Sequence, residues 1–235
     1  METPRHDRAF CQLGPRQVAL VLGLYRDRVR ACHERRSDWE VHLFRNEGRD
    51  AGTSRVHAHA QLVTLQGPTP GRRRLEGCLS EYHSAHAECG ICAAGSAGEG
   101  SPHPPGPGSR EVLRSRHFVA ATLWAPLDPY HLRIFPFRHG PSIAQAESDE
   151  LSDLADMLLR LLDATEALTG GAAWNLLVHD HGPLEQPALH WHLEVRPRLT
   201  RAAGFEQLTG TGVCPSDPEA DAGRLRAALG HHLSH

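Results

Sequence analysis

The chain carries its own pattern twice, and that repetition constrains its fold more than any other feature. Near the start, Pro4-Arg5-His6 precedes a segment of helical periodicity, then a Trp-led apolar run (Trp39-Glu-Val-His-Leu-Phe), then His57-Ala-His59. Further on, Pro136-Phe-Arg-His139 precedes a second helical segment, then Trp174-Asn-Leu-Leu-Val, then His190-Trp-His192. His6 lies 51 residues before His57, and His139 lies 51 residues before His190. A period this long is not that of a solenoid. It fits a tandem duplication of one α+β unit, and 235 residues suffice for two such units with their own cores. The expected fold class is therefore α+β, with two tandem units, each an antiparallel sheet with a long helix, over residues 1–88 and 89–235.

Local patterns place the elements. Pro15–Arg35 presents Val18, Val21, Leu22, Tyr25, Val29 and Cys32 at helical spacing, with Pro15 suited to the first turn. Leu75–Ala87 reads as a further helix, and Pro218–Leu229 as the last one. Ser148–Leu168 is the strongest helix, with Ser148 as its expected cap and Gly170-Gly171 as its stop. Strands are expected over Trp39–Phe44, His57–Leu65, Phe118–Ala125, His131–Phe137, Ala173–Val178 and Leu189–Val195. Residues 93–110, AAGSAGEGSPHPPGPGSR, are too poor in apolar side chains to enter a core and read as a flexible linker inside the second unit.

Three features carry chemistry. Cys89-Gly-Ile-Cys92 is a tight knuckle that can offer two thiolates to one tetrahedral Zn2+, with His139 and His190 of the second unit as the remaining ligands. The spacing is too wide for a zinc finger and suits a staple between strands; the plainer alternative is a buried or redox-active cysteine pair. Then there are the two His-x-His pairs. On a strand, residues two apart share a face, so His57 and His59 would project together, with Gln61 beside them, as would His190 and His192. A neutral imidazole is a competent nucleophile toward phosphorus, and Gln61 can donate to a phosphoryl oxygen. The plainer reading is a solvated polar strand face. Upstream lies a glycine-containing loop, Asn46-Glu-Gly48 through Gly52-Thr-Ser54, whose backbone can approach a phosphate closely.

Taken together, Asn46-x-Gly48-x3-Gly52-x-Ser54-x2-His57-x-His59-x-Gln61 resembles the active-site motif of galactose-1-phosphate uridylyltransferases and related nucleotide-sugar transferases and phosphorylases of the histidine-triad superfamily. His190-Trp-His192-Leu-Glu-Val-Arg-Pro-Arg-Leu and the stretch after it resemble the carboxy-terminal half of the same proteins. The resemblance implies two histidine-triad-like units. It gives His59 the role of the nucleophile that forms a nucleotidyl-histidine, and Gln61 that of steadying the transferred phosphoryl group. Asn46, Gly52 and Ser54 would contact phosphate. His6 and His57 would be zinc ligands in the first unit, and Cys89, Cys92, His139 and His190 the zinc site of the second. The implied substrates are a nucleotide sugar and a sugar 1-phosphate, with Zn2+ as the cofactor; the resemblance also admits a homodimer.

The match departs from the family in places. No Cys-x-x-Cys precedes His6, so the expectation is an incomplete first unit, shortened at its amino terminus. Val56 and Ala58 stand where the family usually has prolines. Thr209-Gly-Thr-Gly-Val-Cys lacks the acidic residue of galactose-specific members, so galactose specificity is not supported. A nucleotide hydrolase and an inactive zinc-binding remnant are the competing readings. A net charge of −3 disfavours a nucleic-acid surface. No run of about 18 apolar residues supports a membrane span. The polar first residues carry no apolar signal region, so the expected location is cytoplasmic.

Overall fold

The computed structural model describes residues 2–3, 9–53, 57–96, 110–184 and 186–231. It is α+β, as the repeat implies. Seven strands, β1 (Trp39–Glu47), β2 (Ala60–Gln66), β3 (Glu111–Arg114), β4 (Phe118–Thr122), β5 (Leu132–Pro136), β6 (Trp174–His179) and β7 (His192–Pro197), form one sheet in the order β2-β1-β6-β7-β5-β4-β3. Every pairing is antiparallel. β1 pairs with β6, with Leu43 opposite Val178 and Glu47 opposite Trp174, so strands from both halves of the chain lie in one sheet.

Among the described residues, these helices accompany the sheet: α1 (Pro15–Arg35), α2 (Pro70–His86), α3 (Gly90–Ser96), α4 (Ser148–Thr169), α5 (Gly204–Thr209) and α6 (Pro218–His231). The apolar stripes of α1, α4 and α6 share one core with Val41, Leu43, Phe118, Ala120, Leu132, Ile134, Leu176, Val178, Leu193 and Val195. Each fully buried aliphatic side chain there contributes about 1.5–3 kcal/mol of transfer free energy. Strand alternation then sends His42, Phe44 and Asn46 of β1, Asn175, Leu177 and His179 of β6, and His192, Glu194 and Arg196 of β7 to the opposite face. At one end of that face, Ile91 of α3 packs with Cys89 on Val119 and Phe135.

Several expected boundaries shift, for identifiable reasons. β2 starts at Ala60, not His57, because the backbone ahead of it is committed elsewhere. The Ala58 carbonyl accepts from Glu2 N (3.3 Å), and the His57 carbonyl from the His59 ring (2.9 Å). β7 likewise starts at His192, since Trp191 N donates to Gly140 O (2.9 Å). Both His-x-His pairs thus lie at strand entrances, and only His192 is on a strand. Glu147, not Ser148, caps α4: its N–H donates to the Glu150 carboxylate (2.7 Å), the reciprocal half of a capping box. Helix α3 takes the first residues of the stretch read as linker, while residues 97–109 lie outside the described part.

Candidate active site and metal centre

Across the open face of the sheet the register sets up rows. Glu194, Leu177, Phe44 and Gln61 are successive cross-strand partners, and beside them run Arg196, Asn175 and Asn46. His59 stands just ahead of β2, one residue beyond the last ladder pair, Arg45 with Ala60. The Asn175 amide donates to Asn46 Oδ1 (2.8 Å) and to the Ala51 carbonyl (3.0 Å). It thereby ties the glycine-containing loop to β6. In that loop Gly48 and Gly52 hold φ at 83° and 87°, the left-handed side of backbone space that glycine favours.

His59 is half-buried, and its Nδ1 lies 2.9 Å from the His57 carbonyl. A carbonyl only accepts, so Nδ1 carries the proton, and in the neutral ring the Nε2 lone pair is left available. His57 in turn places Nε2 2.7 Å from the Thr3 carbonyl. Two further bonds, Glu2 N to Ala58 O and the Gln17 amide to Glu2 O (2.9 Å), hold the same amino-terminal segment beneath the histidine loop. The Glu2 carboxylate is itself buried between Tyr25 and Arg45. His6 and Ser54 lie outside the described residues.

In the second unit, Cys89, Cys92, His139 and His190 come together, with one ligand atom from each within 4.8 Å of all the others. Cys92 Sγ is 3.4 Å from His139 Nδ1 and 3.3 Å from His190 Nδ1, and Cys89 Sγ is 4.0 Å from His190 Nδ1. Bond lengths of about 2.3 Å to sulfur and 2.0–2.1 Å to nitrogen give a tetrahedral S···N edge of about 3.6 Å, so this donor set fits Zn2+. A hydrogen bond from Cys92 pulls the Cys89 thiol down to about 3, against burial and with help from His190, while sharing that proton pushes Cys92 up. None of the six cysteines, all of them described, forms a disulfide. Gly90 fits inside the knuckle because a Cβ there would meet the Tyr82 ring at 3.1 Å.

His192 repeats the geometry of His59: its Nδ1 lies 3.0 Å from the His190 carbonyl. Its surroundings differ. His192 is fully buried, stacked on His179 with ring centroids 4.4 Å apart. Burial, with the nearby His179 and Arg133, drives its pKa well below the usual histidine value. Glu194 is also buried. Burial opposes its ionisation, but His131, His179 and Arg133 outweigh that and hold it well below the usual carboxylate range. This histidine-rich patch went unnoticed in the sequence, although His179 and Glu194 sit at alternating positions that pairing could have brought together.

No family model matches the chain. It is 26% identical over 232 residues to ADP-glucose phosphorylase of Arabidopsis thaliana, covering 96% of this chain and 62% of that protein. It is 23% identical over 236 residues to galactose-1-phosphate uridylyltransferase of Thermotoga maritima, covering 95% of this chain and 71% of that one. A solved uridylyltransferase variant superposes with a TM-score of 0.87 at 25% identity, over 98% of this chain and 77% of its own. The chain is a homologue of the galactose-1-phosphate uridylyltransferases and of ADP-glucose phosphorylase. The Arabidopsis ADP-glucose phosphorylase, solved with bound ADP-glucose, shares the fold of this chain at a TM-score of 0.86 and 23% identity. The homologue spans less than two thirds of the length of the Arabidopsis enzyme. No helix among its described residues is long and apolar enough to cross a membrane.

Proposed function

We propose that the chain is a nucleotidyltransferase or phosphorylase of nucleotide sugars, working through a covalent nucleotidyl-His59. The observation that supports this reading above others is the bond from His59 Nδ1–H to the His57 carbonyl. It fixes the tautomer whose Nε2 can attack, on an accessible ring at the edge of the open sheet face. In the first half-reaction His59 Nε2 forms a bond to the α-phosphorus of a nucleotide sugar. The bond from that phosphorus to the bridging oxygen breaks, and a sugar 1-phosphate leaves with the electron pair. In the second, an oxygen of another sugar 1-phosphate or of inorganic phosphate attacks the same phosphorus and His59 departs. Gln61 donates to the phosphoryl oxygens, Asn46 and the backbone at Gly52 position them, and Ser54 is assigned to the same cradle. Such chemistry asks mainly for positioning and charge stabilisation.

Cys89, Cys92, His139 and His190 would hold Zn2+ as a structural centre, with His6 and His57 assigned to a second ion in the first unit. The role of zinc in the second unit is to cross-link α3 to the segments ahead of α4 and β7. Residues 1–88 then form the unit that carries the nucleophile, and residues 89–235 the zinc-stapled unit. A cleft of about 340 Å3 lined by Arg196, Thr200, Arg201 and Glu206 continues the Arg196–Asn175–Asn46 row, and suits the sugar-phosphate end of the substrate.

Incubation with ADP-glucose and UDP-glucose labelled at the α-phosphate tests the reading. An acid-labile, alkali-stable label on the protein is expected, absent in His59→Asn. No label from either sugar overturns it. Adding inorganic phosphate, a hexose 1-phosphate or buffer alone to the labelled protein then separates phosphorylase, transferase and hydrolase by product.

A further inference from the structure

We propose that His179, His192 and Glu194 form a second divalent-metal site in this unit, built from two imidazoles and a carboxylate and separate from the cysteine-containing centre. This inference does not rest on nucleotidyl transfer. One ligand atom from each of the three residues lies within 4.8 Å of the other two. The placement follows from register: His179 and His192 are cross-strand partners on β6 and β7, and Glu194 follows on the same face of β7.

Three observations favour an ion over a plain hydrogen-bond network. First, several ring nitrogens here make no hydrogen bond. His192 Nδ1 is occupied by the His190 carbonyl, and its buried Nε2 has no hydrogen-bond partner. His131 Nδ1 is likewise buried without one, and His179 Nε2 and His131 Nε2 have only the Glu194 carboxylate beside them, at ion-pair distances of 3.5 and 3.3 Å. Leaving such groups unpaired costs about 1–3 kcal/mol each, so a cluster of them calls for an explanation. Second, the spacing is that of ligands around an ion. His179 Nε2 stands 3.5 Å from Glu194 Oε2, too far for a charge-assisted hydrogen bond of about 2.7–2.9 Å. With metal bonds of about 2.0–2.2 Å, a tetrahedral N···O edge is about 3.4 Å. Third, the carboxylate is oriented. Arg133 donates to Glu194 Oε1 at 2.9 Å, leaving Oε2 to face His179 and His131, the latter at 3.3 Å. Fixing a ligand through its second oxygen is how outer groups orient metal-binding carboxylates.

The comparison with His59 sharpens the point. Both imidazoles have the same back-bonded tautomer, but His192 is fully buried where His59 is only half-buried. Its lone pair is directed into the His179–Glu194 cluster. With no thiolate in the set, the ligand chemistry suits a borderline first-row divalent ion such as zinc, iron(II) or manganese(II).

Cobalt(II) titration of the full chain, with metal analysis alongside, tests this. Cobalt on the cysteine centre gives thiolate-to-metal charge transfer, whereas cobalt on nitrogen and oxygen ligands gives d–d bands without it. His179→Ala and Glu194→Gln are expected to lose one bound equivalent while keeping the thiolate band, and Cys92→Ser to lose the thiolate band while keeping the other equivalent. Arg133→Ala should weaken the affected equivalent about 10- to 100-fold. His179→Gln, at the more exposed of the two imidazoles, serves if Glu194→Gln fails to fold. Unchanged stoichiometry and spectra in folded His179 and Glu194 variants would overturn the proposal and leave an ion-pair network.

Discussion

Gly48 holds φ at 83° and ψ at 158°, a region essentially closed to side chains, and a Cβ built there would lie 2.7 Å from the Ala173 Cβ. Both the backbone and the packing therefore exclude any larger residue. Gly48→Ala should cost about 2–4 kcal/mol of unfolding free energy in denaturant titrations, beyond the usual 1–3 kcal/mol of overpacking alone. An unchanged midpoint would show that the loop has room to relax. This glycine was legible in the sequence as part of a phosphate-type loop, but the reason for it was not. Its neighbour Ala173 is remote in sequence, and only the β1–β6 pairing brings the two together. Asn175 was invisible for a similar reason. It lies in the second unit, in no motif, yet its amide holds both Asn46 and the Ala51 carbonyl. Asn175→Ala should lower the rate of His59 labelling about tenfold or more while leaving thermal stability within about 1 kcal/mol, because a displaced phosphate cradle costs positioning. An equal fall in labelling and stability would mark Asn175 as merely structural.

Helix α4 shows which signals a sequence carries for an element and which it lacks. Its apolar spacing and its stop were legible: Gly170 does take the left-handed C-cap, with φ at 68°. The helix starts at Ser148 as expected, but the cap falls one residue earlier, because Ser148 and Glu147 can both serve and only tertiary context decides. That context is Arg138, outside the helix, whose guanidinium grips Glu150 through two bonds of 2.8 and 2.6 Å. Glu150 also accepts from Glu147 N, so cap and ion pair reinforce each other. The Arg138 bonds, chiefly, hold the Glu150 carboxyl below its usual value, against burial. A depressed carboxylate contributes stability that is fully present above its unfolded pKa of about 4.3 and is lost as pH falls through the folded value. Glu150→Gln should therefore cost about 1–3 kcal/mol at neutral pH, and its stability should fall less steeply than the parent's below about pH 4. Parallel acid limbs in the two proteins would remove Glu150 from the account.

For the whole molecule, a single continuous sheet brings together ligands that lie far apart in sequence. Cys89 and Cys92 sit at α3, which packs on Val119 of β4 and Phe135 of β5, while His139 follows β5 and His190 precedes β7. The spacing could single out the four residues through the Cys-x-x-Cys knuckle and the matching intervals between histidines. It could not announce that β1 and β6 would join both units into one sheet, since either unit alone satisfies the local pattern. Nor could it show that the face opposite α1, α4 and α6 would gather His179, His192 and Glu194. The cross-link should be separable from the sheet. Cys89→Ser removes one thiolate of the cysteine centre without touching the histidine–carboxylate cluster, which a chelator would also strip. Binding energy for a structural ion is folding energy, about 4 kcal/mol when free zinc stands 1,000-fold above its dissociation constant. In a chain of this size that corresponds to a fall in Tm of about 10 °C. The loss should be local before it is global. Amide exchange should accelerate in 87–96, 139–145 and 188–192, the segments the ion ties together, while α1 and β1, held by the main core, keep their protection. Uniform acceleration across the sheet would mean that the four ligands support the whole fold and not one staple within it. Unchanged exchange would mean that α3 is held by Ile91, Val119 and Phe135 alone.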